Sequence, residues 1–192
     1  MDVEFLSEIR NKPIEIENMQ DRAYDVLDKF SMRRVPRGGV KIVSILDGFG
    51  IKTYLDDIRS DSLSAYILID PALWDKFGTD RIACVNAERT DGHKRFAIAH
   101  ELAHFLFDYD GSPAYMDTYI AGQPEPVEMK EKRADRFAAC ILMPEDVFRK
   151  KYEEISASRL SPDIIGWLAG YFRVSRKAIE KRFPELGIDY GA

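Results

Sequence analysis

The pentapeptide His100-Glu101-Leu102-Ala103-His104 carries the clearest chemistry in this sequence. It lies in the apolar-flanked run RFAIAHELAHFLF, residues 95–107. Helical positions four apart share one face, so both imidazoles point the same way. Two nitrogens on one face can hold a zinc ion, and the glutamate between them can act on water bound to that ion. In this reading Glu101 stays off the metal and takes a proton from the zinc water. The hydroxide attacks a polarised carbonyl, and Glu101 passes the proton to the leaving amine. Imidazoles and carboxylates are costly to bury in an apolar helix, and a metal accounts for all three together.

A catalytic zinc takes three protein ligands and keeps one open position. The chain has three histidines, and the third, His93, precedes His100 by seven residues. On a continuous helix that is about 10 Å along the axis, too far to share the ion. A carboxylate is therefore expected as third ligand, and residues 128–142, EMKEKRADRFAACIL, are the best source. Glu131 and Asp135 lie four apart there, on one face. Glu131 could bind the metal while Asp135 accepts the second ring N–H of a ligating histidine. The reverse assignment is chemically open, and Glu128 is a further candidate. The transition state also needs an oxyanion donor. Tyr109, Tyr115 and Tyr119, around the connection after the metal helix, and His93 are the candidates.

These side chains must be positioned by the elements around them. The metal helix is expected from about His93 or Lys94 to Phe107, apolar over much of its circumference and so buried on several sides. Before it, residues 51–55, 65–69 and 81–85 read as strands, enough for a sheet of three or four. Helices are predicted over 17–30, capped by Asn18, and over 40–49. Residues 1–16 have no firm period and read as an arm or short strand. The stretch 111–128 is a long connection, either a flap over the site or a surface loop. Later helices are predicted over 128–142, 145–152, 164–171 and 174–183. Ser161 and Ser175 are the expected caps of the last two, with Pro162 in a first turn.

Composition excludes little but narrows the setting. Lys and Arg total 28 against 33 Asp and Glu, a net charge of -5, which disfavours a broad phosphate-binding surface. The basic turn Arg33-Arg34-Val35-Pro36-Arg37 reads as solvated, with contact to an acidic partner as the sharper alternative. Cys84 and Cys140 form no CxxC pattern and read as buried free thiols. No signal-peptide pattern or membrane-length apolar run is present, so a reducing, cytoplasmic setting is expected.

The runs RFAIAHELAHFLF and EKRADRFAACILMP together resemble the ImmA/IrrE family of zinc metallopeptidases. Val35-Pro36, Val85-Asn86 and the tail from Ala169 to Phe183 add weaker likeness. The resemblance implies Glu131 as third zinc ligand, a gluzincin-like arrangement, with Asp135 as its second-sphere partner. Many members carry a histidine four residues beyond the second zinc histidine, where this chain has Asp108, and a glycine where it has Ala103. The implied fold is α+β: a compact zincin-like domain with a small sheet packed on the HExxH helix, and a helical C-terminal part. Residues 17–152 would form that domain, with 1–16 an N-terminal arm and 153–192 a helical segment packed on or appended to it. By the same resemblance the protein cleaves a helix-turn-helix repressor from a neighbouring gene, in mobile elements or stress responses.

Two other functions compete. A metal-binding regulator could sequester a repressor without cutting it. The helix pair 161–186, with Arg173, Arg176, Lys177, Lys181 and Arg182, could contact DNA as a helix-turn-helix. The acidic whole makes direct nucleic-acid binding the weaker expectation, and no membrane partner is indicated.

Overall fold

The computed structural model describes residues 3–59, 63–111, 127–158 and 163–190, and the backbone of 114–115. The sheet comes from three β-rich runs: β1 (Lys52–Asp56), β2 (Ala65–Ile69) and β3 (Arg81–Asn86). A two-residue strand, β4 (Ala114–Tyr115), completes the order β1-β3-β2-β4. β3 pairs parallel with β1 and antiparallel with β2, and β2 pairs antiparallel with β4. In β2 only Ala65, Ile67 and Ile69 are buried, the alternation of a strand covered on one face. The central β3 is buried almost throughout, whereas edge strand β1 is mostly exposed.

The sheet packs on helix α5 (Asp91–Phe107), which carries the HExxH pentapeptide. On α5 lies α6 (Val127–Leu142), the most extensive contact between helices among the described residues. Phe137, Ala138, Ile141 and Leu142 are fully buried there, as an amphipathic reading of that run requires. Further helices are α2 (Met19–Lys29), α3 (Ile42–Gly48), the short α4 (Trp74–Phe77), which lies beside β1, α7 (Glu145–Ser156), α8 (Ile164–Phe172) and α9 (Arg176–Glu185). Leu6 near one end and Phe183 near the other belong to one hydrophobic cluster with Phe105 and Phe137. Phe49, fully buried, joins several layers through ring contacts with Phe5, Phe30 and Phe105 at 6.1, 5.1 and 6.0 Å.

Several local expectations need correction. Residues 3–10 are a helix, α1 (Val3–Arg10), not an arm or strand. Only Leu6 and Ile9 are buried in it, too few to give a visible period. What anchors α1 is tertiary: the Arg10 guanidinium donates to the carbonyls of Leu106 and Phe105, at 2.8 and 2.9 Å. Asn18 does not cap α2 with its side chain but donates to Glu15. Asp163, accepting from the Gly166 N–H, caps α8 at the position before Ile164. Ser161 and Pro162 lie outside the described residues. Ser175 caps α9 as expected, accepting from the Ala178 N–H, but Pro184 sits within the helix's last turn.

Candidate metal centre

α5 starts at Asp91, two residues before the earliest expected start, and runs unbroken past the motif. Its first turn lies against the α8–α9 link. A Cβ on Gly92 would meet the Ser175 nitrogen at 2.9 Å, so a larger residue would push the two apart. His93 is in that first turn, with Nδ1 3.0 Å from the Thr90 hydroxyl. The helix is continuous to His100, so His93 stays about two turns from the motif.

One turn separates His100 from His104, and their Nε2 atoms lie 3.0 Å apart. Glu131 reaches them from α6: one carboxylate oxygen is 3.2 Å from His100 Nε2, the other 3.3 Å from His104 Nε2. Ligand atoms of all three residues fall within 4.8 Å of one another, a spacing that can hold a metal ion. Asp135, one turn beyond Glu131, places an oxygen 3.0 Å from His100 Nδ1. Asp108 does the same for His104, at 2.7 Å from Nδ1. An ionised carboxylate only accepts, so each Nδ1 carries a hydrogen, and in the neutral ring each Nε2 presents a lone pair.

That assignment decides what the cluster can do. Two lone pairs and a carboxylate converge on one point, and they repel one another unless a cation lies among them. Protons can fill that role. Burial opposes charge on His100, but hydrogen bonds with Asp135 and Glu131 outweigh it and push its pKa up to about 10. For His104, burial is likewise outweighed, by Asp108 and Glu131, and the value rises to about 9. Hydrogen bonds from the same two rings hold Glu131 well below the usual carboxylate range. A divalent metal fills the role better, since it needs these donors deprotonated and gives each a bond. The donor set of two imidazoles and one carboxylate suits zinc, with room for a further ligand.

Glu101 is 8% exposed, next to His100 on the same helix. Its charge favours the protonated forms of both His100 and His104, so it lies within electrostatic reach of each. Tyr109 turns to α1: its ring stacks on Phe105 at 5.8 Å, with the Arg10 guanidinium 5.8 Å from its centre. Tyr119 and the Tyr115 side chain lie outside the described residues, as does most of the expected flap. Glu128, the other acidic candidate, is exposed and binds Lys132 at 2.6 Å.

Sequence reasoning missed Asp108 and Arg133. Arg133, 4% exposed on α6, donates to Asp108 at 2.5 Å. The available signal was spacing, since Asp108 follows His104 by four residues and so falls on its face.

Elsewhere, the basic residues of the α8–α9 pair are largely engaged. Arg173 pairs with Asp91 at 3.0 Å, and Arg176 pairs with Asp163. Arg182 is 1% exposed and donates to the Met143 carbonyl, Glu185 and Gln20. Both cysteines are buried free thiols. Among the described residues, no helix is long and apolar enough to cross a membrane.

A small sheet on a buried HExxH helix, with a carboxylate delivered by the next long helix, defines an α+β fold of zincin-like design with a candidate His/His/Glu metal site. The chain belongs to the family of IrrE N-terminal-like domains, Peptidase_M78, whose model matches residues 49–183. Family membership and the metal-competent cluster support a metal-dependent enzyme in general terms. Curated protein sequences give no significant match. Among solved structures, a Mycobacterium tuberculosis transcriptional regulator shares the fold, with a TM-score of 0.58 at 18% identity. The alignment covers 94% of this chain and 51% of that one, so the present chain spans about half the length of that regulator.

Proposed function

We propose that this protein is a zinc-dependent endopeptidase that cuts a helix-turn-helix transcriptional repressor and so relieves repression. One observation carries the catalytic part: three acceptor atoms, from His100, His104 and Glu131, converge beside a buried Glu101. When bound, zinc supplies Lewis acidity toward a carbonyl oxygen and makes water more acidic. His100 and His104 would hold it through Nε2, and Glu131 through its carboxylate. Asp135 fixes the His100 ring by accepting its Nδ1 hydrogen. Glu101 is the general base that accepts the proton of the attacking water, then the acid that returns it to the leaving amine. Tyr115 and Tyr119 are our candidates for the oxyanion donor.

The repressor part of the proposal rests on family likeness. A structural neighbour named as a transcriptional regulator is consistent with a regulatory setting. The engaged arginines of α8 and α9 weigh against reading that pair as the main DNA contact.

The test uses purified protein with the helix-turn-helix protein encoded beside its gene. Wild type should cleave it, and Glu101→Gln should keep the metal but leave the substrate intact. Equal behaviour of wild type and E101Q would exclude hydrolysis. Release of the repressor from DNA by E101Q without cleavage would favour sequestration instead.

A further inference from the structure

We infer that Asp108, held by Arg133, is a positioning residue that sets the affinity of the metal centre through His104. The inference rests on the zinc-site reading above and extends it to residues that reading does not use. Asp108 is the residue that ends α5, immediately after the last helical position. One of its oxygens is 2.7 Å from His104 Nδ1, and the other is 2.5 Å from an Arg133 nitrogen. Its side chain is 11% exposed and that of Arg133 is 5% exposed. This is therefore a desolvated, charge-assisted chain: guanidinium to carboxylate to imidazole. Lys130 adds a more distant positive charge, 3.9 Å from the oxygen that Arg133 holds.

The geometry gives each link a task. Without an acceptor at Nδ1, the His104 ring could rotate or adopt the tautomer with hydrogen on Nε2, which cannot bind a metal through the Nε2 that faces Glu131. Asp108 prevents both. Arg133 occupies the outer oxygen and turns the inner one to the ring. It also ties the end of α5 to α6. Thus α6 contributes to the centre at three positions: Glu131 at the convergence point, Asp135 behind His100, and Arg133 behind the carboxylate that backs His104. The two histidines are backed differently. Asp135 is a largely exposed carboxylate, 60% by side chain, while Asp108 is only 11% exposed and is anchored. Solvent competes for the first hydrogen bond and much less for the second. Loss of Asp108 should therefore cost more metal affinity than loss of Asp135.

The experiment measures zinc affinity by competition with a chromogenic chelator. Wild type is compared with Asp108→Ala, Asp108→Asn, Arg133→Met and Asp135→Ala. We expect D108A to weaken zinc binding by roughly 10–100-fold, the range for lost partners behind a ligating histidine. D108N should fall between wild type and D108A: its carbonyl can still accept from Nδ1, but its amide then confronts Arg133. R133M should weaken binding less than D108A, and D135A should too. The second readout is the ring N–H signals of zinc-loaded protein labelled at histidine, a simple spectrum with three histidines. D108A should lose or shift the His104 signal and leave that of His100 in place. General disturbance of the fold would move both. Wild-type affinity with both signals unchanged in D108A would overturn the inference. Failure of wild type itself to bind zinc would instead overturn the metal-site reading beneath it.

Discussion

Arg10→Met tests whether the first helix supports the metal helix. Arg10 donates two hydrogen bonds to the carbonyls of Phe105 and Leu106, in the last turn of α5. Those carbonyls have no acceptor role left within the helix, and a cation there also complements the helix dipole. Methionine keeps most of the aliphatic stem and removes both bonds. A buried hydrogen bond to a charged group contributes about 1.5–3 kcal/mol, but Arg10 is only partly buried, so about 1 kcal/mol for each bond is appropriate. The variant should lose about 2 kcal/mol. At about 2–4 °C per kcal/mol for a chain of this size, the midpoint of thermal unfolding should fall by about 4–8 °C. Arg10→Lys can restore at most one bond in similar geometry and should fall between the two. Circular dichroism melts of metal-free protein give the answer. A midpoint for R10M within about 1 °C of wild type would refute the idea that α1 secures the end of α5.

Other perturbations have equally direct outcomes. Phe137→Ala empties a fully buried site facing Phe107 at 5.2 Å, and should cost about 3–5 kcal/mol in urea unfolding. Metal-free protein should lose stability on both sides of a window between about pH 4.5 and 6.5. The folded values of His100 and His104 are raised above 6.5, so their contribution is complete below 6.5 and is lost as pH rises through about 9 and 10. Glu131 is lowered from 4.5, so its contribution is present above that value and is lost in acid. Melts in chelator across about pH 3 to 11 check this, and H100A, H104A and E131A together should flatten the profile. Gly92→Leu should destabilise the protein by forcing the start of α5 away from Ser175, visible as a lowered melting midpoint.

The parts of the fold legible in the sequence were those with strong local patterns. Residues 65–69 and 81–85 are dense in β-branched and apolar side chains, and they form β2 and most of β3. The apolar runs of α5 and α6 marked both helices; four-residue spacing aligns His100 with His104, and packing of α6 on α5 brings Glu131 to them. What escaped was stabilised from outside its own segment. α1 is only two turns long and is held by Leu6, Ile9 and a guanidinium reaching another helix. Asp108 lies beyond the apolar run that marks α5, yet it is one turn from His104 and completes that residue's hydrogen bonding. The structure shows that the aspartate supplies an acceptor there, with Arg133 as its counter-charge. At α8 the sequence pointed to Ser161 as the cap, whereas Asp163 accepts from the Gly166 amide.

Everything proposed for catalysis depends on His100, His104 and Glu131 holding one zinc ion together. Isothermal titration of metal-free protein with zinc, for wild type and Glu131→Ala side by side, tests it most directly. Wild type should bind about one zinc per chain, with protons released on binding, and E131A should lose that tight site. Absence of tight binding in wild type, or an identical isotherm in E131A, would contradict it.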